Sequence, residues 1–192
     1  MIMTNENVRE FPQDIVLKHT LLHIIPKRVT PNMVTVFRAF LIPFNLYYVW
    51  RGEWDIVIAL FLFTAGTDIV DGSMARARKQ ITKWGTVADP LVDKIFIGSV
   101  VALFVAKEIH PAFAVVILTL ECLIGLSNYI RYRKGQIVSA NKFGKTKMIL
   151  QVIGVTLLFI SRSYGFEIEH FSVGVLSLSI VFAIISLYTY SM

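Results

Sequence analysis

Six apolar runs of roughly bilayer length dominate this chain of 192 residues. They are Val34–Trp50, Trp54–Val70, Val87–Ala106, Pro111–Ile130, Met148–Ile160 and Phe171–Tyr190. A helix needs about 20 mainly apolar residues to cross a hydrocarbon core. The chain is 55% hydrophobic and 17% charged, whereas charged residues make up about a quarter of a typical soluble domain. A water-soluble domain of this size could not hide so much apolar surface. The runs therefore predict an all-α polytopic membrane protein with six transmembrane helices. Trp50, Trp54, Tyr129, Tyr188 and Tyr190 fall near the run ends, where amphipathic rings prefer to lie.

Basic residues orient the spans. The N-terminal segment and the connections after the second and fourth runs hold the large majority of the 19 Lys and Arg, while the opposite connections hold Arg51, Lys107 and Arg162. This asymmetry predicts that both termini face the cytoplasm, in the inner membrane if the cell is bacterial. The net charge of +6 then reads as topology plus an anionic partner at the membrane surface, not nucleic acid. The segment "QDIVLKHTLLHII" (13–25) sets Leu17, Leu21 and Ile24 on one helical face with Lys18 opposite. It predicts a helix lying on the leaflet or packed under the bundle. The expected division is a cytoplasmic or interfacial segment, 1–28, and a six-helix membrane domain, 29–192. The polar first ten residues give no expectation of a signal peptide. Cys122 is the only cysteine, which excludes an internal disulfide, and its place in mid-span predicts a small core residue. His19, His23, His110 and His170 lack metal-ligand spacing and are expected at the interface.

Against this background "TDIVDGSMARARKQITKWGTVADPLVDK" (67–94) carries four aspartates, Asp68, Asp71, Asp89 and Asp93. An aspartate at the centre of a membrane helix costs about 3 kcal/mol, less near the interface. On a helix that continues past the second run, Asp68, Asp71 and Ala75 share one face, with Gly72 and Arg76 beside it. Asp89 and Asp93 share a face of the next helix. A short connection makes the two helices antiparallel neighbours, so the acidic faces can meet. Four converging carboxylates call for one or two hard divalent cations, and an all-oxygen set without Cys or His favours Mg²⁺ or Mn²⁺ over Zn²⁺. Mg²⁺ keeps positions open for water and phosphate, which implies a phosphate-bearing ligand. The competing reading is a surface salt-bridge network with Arg76, Arg78, Lys79, Lys83 and Lys94. It leaves the matched faces unexplained, along with Gly72 and Gly85, which leave room for a ligand beside the carboxylates.

The spacing Asp68-x₂-Asp71-Gly72-x₂-Ala75-Arg76-x₈-Gly85-x₃-Asp89-x₃-Asp93 resembles the complete signature of the CDP-alcohol phosphotransferases. "TPNMVTVFRAFLIP" (30–43), with Pro31, Asn32, Thr35 and Arg38, is similar to that family's first span, and the six-span layout agrees. The resemblance implies attack by an alcohol on the β-phosphorus of a CDP-activated donor, with loss of CMP. It implies that Asp68, Asp71 and Asp89 hold a two-ion site of Mg²⁺ or Mn²⁺, with Asp93 contributing to the second ion and acting as general base. Asn32, Gly72, Ala75, Arg76, Thr82 and Gly85 would contact the CDP moiety, Arg76 through its diphosphate. It also implies a homodimer. No Ser/His/Asp or Cys/His arrangement is visible, so a single direct displacement is expected.

The acceptor is sought in the basic residues after the fourth run. "GKTKMILQ" (144–151) is similar to the Gly-Lys-x-Lys-x₃-Gln pattern of the phosphatidylglycerophosphate synthases, which implies CDP-diacylglycerol as donor and glycerol 3-phosphate as acceptor. Arg131, Lys145 and Lys147 are the expected acceptor-phosphate ligands, and Arg38 is either a fourth or a partner of the aspartates. Those synthases carry an Arg-Glu pair in span four and an arginine seven residues after the glutamate. Here Leu120-Glu121 stands for the pair and Asn128 for the arginine. An inositol phosphate or another polar alcohol is therefore the alternative acceptor. Glu121, deep in the fourth run, either bonds Ser127 or Asn128 on its own helix or stands as an outer support of the site. A divalent-cation transporter is the alternative of another class, although the aspartate cluster has no second copy in the later spans.

Overall fold

The computed structural model describes residues 25–26, 28–78, 80, 82–133 and 142–191. The expected helix over 13–25 lies almost wholly outside them. Every regular element among the described residues is a helix: α1 (Pro31–Arg51), α2 (Trp54–Ala77), α3 (Lys83–Glu108), α4 (Pro111–Arg133), α5 (Lys142–Tyr164) and α6 (Glu169–Ser191). Five of them, α1, α2, α4, α5 and α6, are long and apolar enough to cross a membrane, and the protein is an integral membrane protein. The third expected span differs. α3 is the longest helix, but Asp89, Asp93 and Lys94 interrupt its apolar stretch at one end and Lys107 and Glu108 at the other. The helices also outrun the apolar runs, most of all α5, because charged and polar residues at a membrane surface can stay helical while their heads reach water.

Local chemistry fixes the helix ends. α1 begins Thr30-Pro31, with the Met33 N–H donating to Thr30 Oγ1 at 3.4 Å. α4 begins at Pro111, with the Ala112 N–H donating to His110 Nδ1 at 3.1 Å. Proline suits the first helical position because its missing N–H would have no partner there. Gly52 (φ 77°) and Gly165 (φ 71°) end α1 and α5 in the left-handed conformation that glycine adopts without penalty. Lys107 donates to the last carbonyls of α1, Val49 at 3.3 Å and Trp50 at 2.9 Å.

The chain divides into two compact units. The first contains α1 up to Asn45, α2 from Ala59 and α3 up to Phe96. Thr35, Arg38, Ile42 and Asn45 are buried along one face of α1, and Phe61, Thr64, Thr67, Asp71 and Met74 along one face of α2. The seam is polar within an apolar unit: Asn45 donates to Thr64 Oγ1 at 3.0 Å, and Thr64 donates to the Leu60 carbonyl at 2.7 Å. Small polar side chains that bond across helices serve as glue where hydrophobicity gives no drive.

The second unit contains residues 46–58 and 97–192. Trp54, Phe104 and Phe159 pack edge and face with centroids 5.1–6.2 Å apart. α6 packs against α5 and α4. Lys147, Gln151, Gly154, Leu158 and Ser161 are buried on α5, and Ser172, Leu176, Ser179, Ala183 and Ser186 on α6. Both series step by four and three residues, the 3.5-residue repeat of helices crossing at about 20°. Cys122, expected in the core, is exposed on α4, beside Leu118, Leu123 and Leu126 on the most weakly buried of the spans. A thiol is apolar enough for lipid to accept it.

Gly154 is the tightest point of the second unit. A Cβ there would lie 2.9 Å from Leu176 Cδ2 and Cγ, so α6 reaches α5 only because no side chain intervenes. Gly154→Val should destabilise the protein by about 1–3 kcal/mol through overpacking, read as a lower Tm in detergent. Adding Leu176→Ala should restore part of the loss.

Candidate functional site

The site residues of the first unit are assembled around one buried cation. Arg38 is 0% exposed. One terminal nitrogen ion-pairs with Asp93 and with Asp68 at 3.0 Å, and the other with Asp71. Its Nε donates to Thr67 Oγ1 at 3.2 Å, and Thr67 donates to the Thr64 carbonyl at 2.6 Å. The fourth aspartate joins through α1: the Thr35 hydroxyl donates to Asp89 at 2.5 Å and lies 3.3 Å from Asp71 Oδ2. The expected meeting of acidic faces is therefore present, with α1 supplying the groups that gather them. Arg38, left open between two roles by the sequence, is a partner of the aspartates. The carboxylates differ in access, since the Asp71 side chain is 2% exposed and that of Asp68 45%.

The acidic groups suit a hard divalent cation chemically, being four carboxylates with only oxygen donors. Among the described residues no three acidic side chains are already set as ligands of one ion, because they turn to Arg38 and Thr35. Asp68, Asp71, Asp89 and Asp93 would hold such an ion by exchanging those partners for it.

A second group closes on the N-terminus of α1. Thr82 donates to Asn32 Oδ1 at 3.0 Å, and the Gly85 N–H donates to Thr82 Oγ1 at 2.9 Å. A Cβ on Gly85 would lie 2.9 Å from Asn32 Oδ1, 3.1 Å from Thr82 Oγ1 and 3.6 Å from Asp89 Oδ2. Asn32, Thr82, Gly85 and Asp89 are thus adjacent, and glycine is what permits it. On α2 the Arg76 guanidinium lies across Gly72, where a Cβ would be 3.5 Å from Nη1. Ala75 lies in the last turn of the same helix, its carbonyl accepting the Gln80 N–H at 3.0 Å.

Sequence reasoning gave three contributors no role in the site. Thr35 and Thr67 hold Asp89 and Arg38, and their signal was polar residues sharing one face of otherwise apolar helices. Arg78, read only as a surface charge, donates to the carbonyls of Ile25 (2.7 Å), Val29 (2.9 Å) and Pro26 (3.3 Å). It thereby ties down the segment that enters α1.

The expected acceptor ligands other than Arg38 lie in the second unit. Arg131 is in the last turn of α4, and Lys145 is exposed in the first turns of α5. Lys147 is buried and ion-paired with Glu121. Of the two readings of Glu121, the bond to Ser127 or Asn128 is not present among the described residues. Its Oε1 accepts from Lys147 and, at 3.1 Å, from Gln151, because α5 brings a cation and an amide one turn apart to the same point.

Residues 28–186 match the family described as CDP-alcohol phosphatidyltransferase. The chain belongs to that family, as its signature suggested. It is 28% identical over 179 residues to the CDP-diacylglycerol--glycerol-3-phosphate 3-phosphatidyltransferase of Bacillus subtilis, spanning 86% of this chain and 92% of that one. It is 38% identical over 85 residues to the protein of the same name from Yersinia pestis, covering 42% of this chain and 45% of that relative. A probable CMP-forming cardiolipin synthase of Drosophila melanogaster is 33% identical over 105 residues, 53% of this chain and 33% of that one. Among solved structures, the phosphatidylinositol phosphate synthase of Mycobacterium tuberculosis with CDP-DAG bound shares the fold. Its TM-score is 0.61 at 21% identity, with 93% of this chain and 91% of that one covered.

Removing one member of the buried charge cluster strands the others. Arg38→Met should lower stability by about 3–5 kcal/mol, the effect of leaving a buried charge without its partner. Adding Asp71→Asn should recover a measurable part, which a thermal-unfolding double-mutant cycle would read directly.

Proposed function

We propose that this protein transfers a phosphatidyl group from CDP-diacylglycerol to glycerol 3-phosphate and releases CMP. The observation that carries the reading is the gathering of Asp68, Asp71 and Asp93 on Arg38, with Asp89 on Thr35 beside Asn32, Thr82 and Gly85. The name and length of the Bacillus subtilis relative support the donor and the acceptor.

In the proposed reaction the acceptor's hydroxyl oxygen bonds to the β-phosphorus of the donor, and the bond from that phosphorus to the CMP oxygen breaks. The hydroxyl proton passes to Asp93. Asn32, Thr82 and Gly85 form a polar ledge for the nucleotide, while Gly72 and Ala75 keep the wall beside it low. Arg76, moving from its place over Gly72, grips the diphosphate with its planar fork. Arg38 holds Asp71 and Asp93 on one guanidinium until substrate arrives. Mg²⁺ or Mn²⁺, as one or two ions on the four aspartates, would neutralise the diphosphate and the charge developing on the attacking and leaving oxygens. Lys145 and Arg131 attract the acceptor's phosphate, whereas the charge of Lys147 is already matched by Glu121. The basic connections support a site on the cytoplasmic side. A lateral opening would leave the donor's acyl chains in lipid, and the chain would act as a homodimer.

CMP release from CDP-diacylglycerol with Mg²⁺ and a panel of alcohols tests this reading. Glycerol 3-phosphate should support release and inositol phosphate should not, and Asp93→Asn should lower kcat by at least about 100-fold while CDP still binds. Lys145→Ala should raise the KM for glycerol 3-phosphate. Cation flux in proteoliposomes without CMP release would point instead to a transporter.

A further inference from the structure

The end of α2 brings two arginines, Arg76 and Arg78, and only the first has a part in the reaction proposed above. Positions two apart on a helix do not face the same way. Arg76 lies over Gly72, while Arg78, the residue after α2, turns to the chain that enters α1. Its Nη2 donates to the Ile25 carbonyl at 2.7 Å, and its Nη1 to the carbonyls of Val29 at 2.9 Å and Pro26 at 3.3 Å. The connection from α2 to α3 is thus fastened to the α1 entry twice. Arg78 does so at its start, and at its end Thr82 donates to Asn32 Oδ1 at 3.0 Å. Between the two fastenings the entry is stiff. Pro26 and Pro31 fix their own φ and restrict the residue before each. The Val29 N–H closes a turn on the Pro26 carbonyl at 3.0 Å, and Thr30 Oγ1 takes the Met33 N–H. Among the described residues no main-chain N–H reaches the Ile25 or Val29 carbonyl, so the path of this entry depends on Arg78.

A guanidinium carries its N–H donors in a rigid fork, so it can hold several carbonyls in one arrangement where an ammonium acts as a point. The residue that this hold governs is Asn32. It lies three residues beyond Val29, across a capped helix start, and its Oδ1 packs against Thr82 and Gly85. There is no slack at that contact, since a Cβ on Gly85 would lie 2.9 Å from Asn32 Oδ1. We propose that Arg78 is a positioning residue for the nucleotide of the donor. It touches no substrate itself, and it holds the α1 entry so that Asn32 meets Thr82 and Gly85 as one fixed ledge. This rests on the phosphatidyl-transfer reading above, in which that ledge receives the nucleotide. The diphosphate is left to Arg76 and to the metal on the four aspartates, so Arg78 acts on the nucleoside half of the donor alone.

The test titrates the full chain in nanodiscs, with Mg²⁺ present, with CDP and separately with inorganic pyrophosphate, which has the diphosphate without the nucleoside. Arg78→Met should weaken CDP binding by about 10- to 100-fold, the effect of slightly misplacing a group that must meet its ligand, and leave pyrophosphate binding unchanged. The KM for CDP-diacylglycerol should rise by a like factor while kcat falls much less. Arg78→Lys keeps the charge without the fork. It should show a smaller loss of the same kind, and it carries the test if Arg78→Met does not fold. In an Asn32→Ala background Arg78→Met should have little further effect on CDP, because the group it places is gone. Equal losses for CDP and pyrophosphate, additive effects of the two substitutions, or CDP binding indifferent to Arg78 would overturn the positioning role and leave the transfer reaction standing. A wild type that binds CDP no better than pyrophosphate would remove the nucleotide ledge and this assignment together.

Discussion

A guanidinium with no exposed surface, set among three carboxylates, governs the first unit. A charge in an apolar surrounding survives only when paired and hydrogen-bonded, and Arg38 meets both conditions through Asp68, Asp71, Asp93 and Thr67. The same contacts bring acidic groups from α2 and α3 to one place on α1. The expense of burying them in a membrane protein is offset by the cation they surround, so stability and site geometry arise from one interaction. A divalent ion at some of these carboxylates would bring one more positive charge than the guanidinium supplies, as the proposed metal–diphosphate complex would require.

The second unit meets the same constraint with smaller groups. Serines and glycines along α5 and α6 let the helices approach closely, as Gly154 does against Leu176, and packing of this kind is the main source of helix association in lipid. At one end of that seam the pattern changes to Lys147 and Gln151, which reach Glu121 on α4. The seam holds the helices, and its polar end ties them to α4 through a buried ion pair.

Much of this was legible in the sequence because the underlying signals are strong. Apolar runs of bilayer length and aspartates at helical spacing leave few alternatives, and the signature from Asp68 to Asp93 named the family that residues 28–186 match. What escaped is pairwise. Nothing in the local sequence says that Arg38 turns to the aspartates instead of to an acceptor, since α1 offers the same face for either. Glu121 was assigned a partner on its own helix, because sequence spacing reveals neighbours at one or two turns and not the lysine that α5 presents. Cys122 was expected inside because mid-span residues of a soluble protein are buried there. A helix in lipid exposes most of its apolar surface, so position along the span carries no such information. Thr35, Thr67 and Arg78 are common residue types whose roles depend on which helix lies opposite.

The central claim is that the aspartates gathered on Arg38 and Thr35 trade those partners for a divalent ion that grips a nucleotide diphosphate. Titrating the purified protein with Mn²⁺, followed by electron paramagnetic resonance with and without CDP, tests it most directly. The account predicts saturable Mn²⁺ uptake that CDP tightens and that Asp71→Asn together with Asp89→Asn abolishes. Absence of Mn²⁺ uptake, with CDP affinity indifferent to a chelator, would contradict it.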